Sequence, residues 1–298
     1  MLKLAADTMV TPEVRLLEQV DRGLGGPVTW RALQTDWKKE VIVQFAPHGR
    51  LVDDALDGFL TAAALGQEVA TSRVAHIHDF GVFEDRLPFV VVEALQGRTL
   101  EQRLKKQRRL PVAEVDELGK QLAVAVDGMH EVGVEHHRLG ADAVVLRSGK
   151  EIDAVVRGLA IGLLTRVSKS DEYVSPEVYA GEEADNRADL WSLGAILYRM
   201  LLGRPAVEMA QRRAGQWQVT LPTVGVDKSL REALQPIFGK ALHESPDERY
   251  GSAEAMVTAL SNGLDSVRGA DGQFRIVNVT DESIPPQIAE EDDDSLAW

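Results

Sequence analysis

No cysteine occurs in this 298-residue chain, so its chemistry must come from other groups: 7 histidines, 47 carboxylates, 33 lysines and arginines, and the hydroxyl side chains. Thiol catalysis, structural disulfides and cysteine-ligated zinc are thereby excluded. Histidines crowd together twice, in His76-x-His78 and in Glu135-His136-His137. Neither pair has a third ligand at a helical His-x-x-x-His spacing, so both read as ordinary surface or core histidines and no metal is expected. Gly23-Leu24-Gly25-Gly26-Pro27 could cradle a phosphate on backbone N–H groups. A hairpin turn explains it as well, and Pro27 has no N–H to give. Arg103, Lys105, Lys106, Arg108 and Arg109 form a basic cluster. It reads as a solvated helix end favoured by the helix dipole, or as a patch for an acidic partner or the chain's own acidic end. No Gly-x-Ser-x-Gly occurs, which leaves a serine hydrolase unsupported.

The formal net charge is 33 − 47 = −14. A nucleic-acid partner is not expected, because binding a polyanion needs net positive charge to displace its counterions. Hydrophobic residues make up 44%, enough for a real core and against wholesale disorder. The longest apolar runs, 89–92 and 195–197, are far below the roughly 18 residues of a membrane span, so no membrane insertion is expected. The first residues lack the apolar core of a signal peptide, and the expected location is the cytoplasm.

These groups need elements to position them. Short β-prone runs at 28–33, 41–45 and 89–93 are bounded by Gly, Pro or charge, with one helical stretch around 54–69 between them. Past Gly97 the spacing becomes helical: 99–109, 112–132, 186–202, 230–242 and 252–264. Leu118, Leu122, Val126 and Met129 make one apolar stripe. A small β-rich unit followed by a larger helical one is an α+β order. From residue 263 onward nine acids face Arg268 and Arg275, giving 2 − 9 = −7. Like-charge repulsion and scarce apolar residues predict disorder past about residue 283, with 274–279 (FRIVNV) β-prone and Leu296 and Trp298 as possible anchors for a partner.

Four segments together resemble the protein kinase domain of bacterial Ser/Thr kinases. Tyr173-Val174-Ser175-Pro176-Glu177 followed by Asp189-Leu190-Trp191-Ser192-Leu193-Gly194 looks like the Ala-Pro-Glu end of an activation segment and the central helix after it. Ser245-Pro246-Asp247-Glu248-Arg249-Tyr250 resembles the segment whose arginine pairs with that glutamate. Val90-Val91-Val92-Glu93-Ala94-Leu95-Gln96-Gly97 is similar to the strand and hinge between the lobes. Gly133-Val134-Glu135-His136-His137-Arg138-Leu139 stands where the family has its catalytic loop. The resemblance covers roughly residues 16–262 and implies a bilobal kinase-like fold. The domains expected are an extension over 1–15, a small lobe over 16–93, a large lobe over 94–264, and an acidic, largely disordered tail over 265–298.

The resemblance also implies where phosphoryl-transfer groups should sit, and there the sequence departs from the family. Val41-Ile42-Val43-Gln44 replaces Val-Ala-Ile-Lys, putting Gln44 at the phosphate-holding lysine, and the helix glutamate falls on Ala62. Glu68 is about a turn and a half away. Arg138 falls on the catalytic aspartate; it has no acceptor and cannot be a base. A one-residue slip would place Leu139 there instead. Gly140 falls on the loop lysine and Ala143 on the metal-binding asparagine. In Val156-Arg157-Gly158-Leu159-Ala160 the metal aspartate becomes Val156, with Asp153 three residues upstream. Ungapped, the glycine-loop positions fall on Arg22, Leu24 and Pro27, and the family's Gly-Thr falls on Lys169-Ser170. Glu177, Asp189 and Arg249 remain as structural residues.

The reading that follows is a pseudokinase: a catalytically inactive, protein-binding scaffold or allosteric regulator in bacterial signalling, with no cofactor. Its expected partners are a signalling protein, an active kinase or a phosphothreonine-binding domain, met by Arg138, Arg157 and Trp298. Thr8, Thr11 and Thr280 are candidate phosphorylation sites, as are Thr165, Ser168 and Ser170. Two alternatives are a metal-independent nucleotide sensor, with the hinge at Glu93, Ala94 and Leu95 holding the base, and a non-standard phosphoryl or nucleotidyl transferase. Phe45, Val92 and Val156 are the side chains that could fill the cleft.

Overall fold

The computed structural model describes residues 4–21, 27–46, 53–149, 152–164, 172–223 and 226–267. The first part is a six-stranded sheet: β1 (Met9–Thr11), β2 (Val14–Asp21), β3 (Val28–Gln34), β4 (Lys39–Phe45), β5 (Ile77–Phe83) and β6 (Leu87–Glu93). Its order is β1-β2-β3-β4-β6-β5, with every neighbouring pair antiparallel. One helix, α1 (Asp53–Gln67), joins β4 to β5 and packs on β5. The central strands β4 and β6 are buried on both faces, and their alternation shows why. Ile42, Val90 and Val92 face Phe59 and Ala63 of α1. Val41, Val43, Phe45, Phe89 and Val91 face the other way, onto Leu16 and Trp30.

Three short strands follow: β7 (Gly97–Thr99), β8 (Val144–Arg147) and β9 (Ala154–Val156), in the order β7-β8-β9. A Cβ on Gly97 would come within 2.1 Å of the Leu146 carbonyl oxygen, so only glycine lets these backbones meet. The helices are α2 (Leu100–Gln107), α3 (Val112–Glu131), α4 (Pro176–Ala180), α5 (Asn186–Leu202), α6 (Met209–Arg213), α7 (Lys228–Ala241) and α8 (Ala253–Ser266), with a 3-10 turn at Ile161–Leu164 after β9. Helix α2 begins with a capping box, Gln102 N donating to Thr99 Oγ1 at 3.1 Å and Thr99 N to Gln102 Oε1 at 2.9 Å. The apolar stripe of α3 enters the same core as Trp191, Leu193, Ile196 and Leu197 of α5. Helix α5 is apolar nearly all round because α3, α7 and α8 all pack on it.

This is the α+β architecture expected, a β-rich lobe followed by a helical lobe. Strand β5 carries His78, where a strand was expected around His76-x-His78; β2 was not expected, since VRLLEQVD mixes charge with apolar residues without clean alternation. The FRIVNV segment, the acidic tail with Leu296 and Trp298, Gly23 to Gly26 of the glycine cluster, and Thr165, Ser168, Ser170 and Thr280 lie outside the described residues. Among the described residues no helix is long and apolar enough to cross a membrane.

Candidate active site between the lobes

The large-lobe side of the cleft is organised by one buried carboxylate near the start of α5. Asp189 accepts from the backbone N–H groups of His136 at 2.7 Å and His137 at 3.0 Å, and lies 3.1 Å from His130 Nε2. Burial raises the Asp189 pKa; the hydrogen bonds from His130 and from the His136 N–H are among the contacts that outweigh it, and the net shift is downward. An ionised carboxylate thus ties the loop over 133–143 to the helical core. His136 is fully enclosed, and burial holds its ring well below the ordinary histidine range. The neutral ring bridges two segments: Nδ1 accepts from Arg138 N at 3.3 Å, and Nε2 donates to the Arg157 carbonyl at 2.9 Å. Arg138 and Arg157 therefore flank one imidazole, joined through it.

Arg138 is half-buried beside the 3-10 turn, where a Cβ on Gly162 would lie 3.5 Å from its own. The Arg157 guanidinium donates from Nε and Nη2 to the Asp142 carbonyl at 3.3 and 3.2 Å. Gly140 and Ala143 close the loop turn, Ala143 N donating to Gly140 O at 3.0 Å. Val156 is completely buried, its backbone bonded to Arg73 and Ala75. Asp153 points elsewhere: its carboxylate is held by Arg73 and by Arg147 Nε at 3.6 Å. Among the described residues no group of three or more His, Asp and Glu could hold a metal ion.

On the small-lobe side, Gln44 is 4% exposed and its Oε1 has no hydrogen-bond partner among the described residues. Its register neighbours are Thr29 and Val90, and strand alternation puts it on the face of Ile42. Ala62 sits half-buried on α1 against the core, while Glu68 lies beyond the helix end and is exposed. At the hinge, the Glu93 N–H is taken by the His76 carbonyl at 2.9 Å, Ala94 is half-buried, and Leu95 packs with Ala75, Val145 and Val155. Of the three side chains expected to fill the cleft, Val92 and Val156 share a core with Ile42. Phe45 points to the opposite sheet face, 6.2 Å from both Phe83 and Phe89, because it is an odd number of residues from Ile42.

Below the cleft, the structure brings Glu177 and Arg249 together as a bidentate pair, Nη1–Oε1 2.7 Å and Nη2–Oε2 2.8 Å, with the Arg249 side chain 0% exposed. Sequence reading missed two residues of this framework. His130 is one; its signal is the six-residue step to His136, which lets both reach Asp189. Arg212 is the other, buried between the Trp191 and Trp217 rings at 5.8 and 5.7 Å, with Nε donating to the Val207 carbonyl at 3.1 Å. A run reading Gln-Arg-Arg gives no hint of it.

Residues 16–260 match the family model described as the protein kinase domain. A probable serine/threonine-protein kinase of Clostridium acetobutylicum is 23% identical over 305 residues, covering 96% of this chain and 46% of that protein. Serine/threonine-protein kinase pkn3 of Myxococcus xanthus is 28% identical over 258 residues, covering 78% of this chain and 46% of its own length. The chain thus spans about half the length of these relatives. The crystal structure of Rad53 1–466 in complex with AMP-PNP superposes with a TM-score of 0.66 at 17% identity, over 83% of this chain and 65% of that one.

These relatives correct the functional expectation. They carry the names of serine/threonine-protein kinases, and nothing among them points to an inactive scaffold or regulator, a metal-independent nucleotide sensor or a non-standard transferase. The expectation went from single side chains to loss of function, whereas Asp189 still holds the loop and Glu177 still pairs with Arg249. On its sequence match over residues 16–260 and its two-lobed architecture, this chain belongs to the protein kinase domain family, of the bacterial serine/threonine-kinase type.

Proposed function

We propose that the chain serves protein phosphorylation as a serine/threonine-kinase domain. A nucleoside triphosphate would enter between the lobes, its base against the backbone of Glu93, Ala94 and Leu95. The bond between its terminal phosphorus and the bridging oxygen would break as a Ser or Thr oxygen of a protein substrate bonds to that phosphorus. The observation that carries the reading is the Asp189 carboxylate holding the His136 and His137 N–H groups, which fixes the loop carrying Arg138. The net charge of −14 supports a protein rather than a nucleic-acid substrate.

The finer part of the proposal concerns rate. By motif, Gln44, Ala62, Arg138, Gly140, Ala143 and Val156 occupy the places of the family's phosphate-holding, metal-holding and proton-accepting residues. The side chains of Val156 and Ala143 offer no oxygen, and Asp153 is engaged by two arginines, so this donor set does not fit a magnesium ion. No step is therefore assigned to one, and the leaving hydroxyl proton goes to solvent. Transfer through such a site should be slow. The test is label transfer from γ-labelled ATP, with magnesium, to mixed Ser/Thr peptides and to the chain itself. Expected is phosphoserine or phosphothreonine at a turnover at least about a thousandfold below the roughly 1–100 per second of ordinary kinases. A turnover within that range overturns the degenerate-site part, and no label above a protein-free blank overturns the kinase part.

A further inference from the structure

The basic cluster on α2 has not been used by the reading above. Lys105, Lys106 and Arg108 are exposed on the last turn and cap of α2; Arg103 pairs with Glu114, and Lys105 has Glu101 as a neighbouring charge. A helix dipole favours a cation or two at a C-terminus, but five in the stretch 103–109 exceed what it rewards. The cluster is also fixed in place. Leu110 N donates to the Met200 carbonyl at 2.8 Å, and Gly203 sits against Arg108 and Arg109.

The opposite charge lies on the same chain. Residues 281–298 hold Asp281, Glu282, Glu290, Glu291, Asp292, Asp293 and Asp294 and no lysine or arginine. The described chain ends one residue past α8, and α8 runs antiparallel to α3. Its start is held by Asp127, which accepts from Ala253 N and Glu254 N at 2.8 Å. Its far end is tied to Asp116 through Ser261 Oγ, and Asp265 acts on Lys120. Asp116 is four residues into α3, about 6 Å along its axis from Val112. Val112 stands three residues after Arg109, the last of the basic cluster. The chain therefore leaves the helical lobe along the first turns of α3, the helix that follows the cluster in sequence. The 14 residues from Val267 to Asp281 span at most about 50 Å extended and about 20 Å as a coil, enough for the acids to come back onto the cluster.

We propose that the acidic segment 281–294 docks on the basic face formed by Lys105, Lys106 and Arg108 at the end of α2, within the same chain. Tethering keeps the two charges at high effective concentration, so individually weak exposed pairs act together.

Zero-length carbodiimide coupling of the full chain, read by mass spectrometry, tests this. Expected are links from Lys105 or Lys106 to the acids of 281–294, within one chain in an isotope-mixed sample. In about 1 M salt, which shortens screening to about 3 Å, they should fall at least about fivefold. The Lys120–Asp116 pair, at 2.7 Å, is the internal control. Tail links only to other lysines, only between chains, or absent while the control forms would overturn the proposal. A charge-reversed chain, Lys105→Glu with Lys106→Glu and Arg108→Glu, gives an independent readout. A glutamate-specific protease should cut at Glu282, Glu290 and Glu291 about tenfold faster than in the unaltered chain, with an unchanged melting temperature. An unchanged cutting rate counts against the docking. Neither readout depends on phosphoryl transfer, so failure here leaves the kinase reading as it was.

Discussion

The base of the helical lobe and the strip between the lobes bury polar groups in opposite ways. At the base, each Arg249 guanidinium nitrogen donates: Nε to His243 O, Nη1 to Glu177 and Arg187 O, Nη2 to Glu177 and Glu244 O. All five N–H donors are used, and three chain segments meet on one side chain. In the strip, Gln44 has a buried carbonyl oxygen with no partner among the described residues, on the sheet face that carries Ile42, Val90 and Val92. A fully satisfied network fixes the chain around it, whereas a half-satisfied group adds cost without adding order. Breaking a residue at the base should therefore unravel the lobe. Changing one in the strip should be tolerated.

The largest effect is expected from Arg249→Met. It leaves Glu177 buried without its partner, and removing one member of a buried pair costs about 3–5 kcal/mol. The lowered pKa of Glu177 has a related origin: burial raises it, and the Arg249 hydrogen bond and charge, together with a backbone hydrogen bond, outweigh that. Urea unfolding should show a midpoint far below that of the unaltered chain. A loss under about 1 kcal/mol would place this pair among ordinary surface pairs and remove half of the contrast.

A smaller effect follows pH, and it probes the joint between the two regions. The folded-state pKa of His136 is lowered, first by burial, from an ordinary 6.5. Above that value both states are neutral at this ring and its effect is nil. As pH falls below 6.5, the unfolded chain takes a proton that the folded chain refuses, so stability drops by up to about 1.4 kcal/mol per unit until the folded pKa is reached. Asp189 and Glu177 act further down: their folded pKa values are lowered, so the stability they give is present above their ordinary values and is lost as pH falls through the folded ones. His78 is also lowered, by burial and by His76, so the readout is a difference. His136→Gln should flatten the stability profile between about pH 6.5 and 5.5 and leave the more acid limb in place. An unaltered slope would mean that the ring is not the neutral bridge between Arg138 N and Arg157 O.

What sequence could give differed between the regions for a physical reason. At the base, Glu177 and Arg249 stand in segments that resemble two family motifs, and the resemblance implies their pairing before any coordinates exist, as a buried charge needs a partner. The central strands and long helices were legible too, because β4, β6, α3 and α5 carry their burial in their spacing. Strand β2 was not, since a near-edge strand keeps polar residues on its exposed side. The direction of Phe45 was readable from its parity with Ile42, yet a cleft reading by family position alone put it on the wrong face. Arg212 was not readable at all: its partners are two indole rings and a carbonyl, brought near by folding. The step from Gln44, Arg138 and Val156 to an inactive scaffold failed for a different reason. Residue types at a site constrain its chemistry, but they do not name the role of the whole chain.

The smallest effect expected is also the one that most directly tests the strip. Gln44→Leu replaces an amide that has an orphan oxygen by an apolar group of similar length, on the face of Ile42. A buried acceptor left unmade costs about 1–3 kcal/mol, and part of that should be recovered, so the variant should be more stable by about 1 kcal/mol in urea unfolding. Gln44→Lys should go the other way, because Ala62 supplies no carboxylate to an ammonium buried at this position. If Gln44→Leu instead loses more than about 1 kcal/mol, the Gln44 oxygen is satisfied by an ordered water or a neighbouring group. The strip would then be held by polar contacts as the base is, and the two regions would no longer differ in kind.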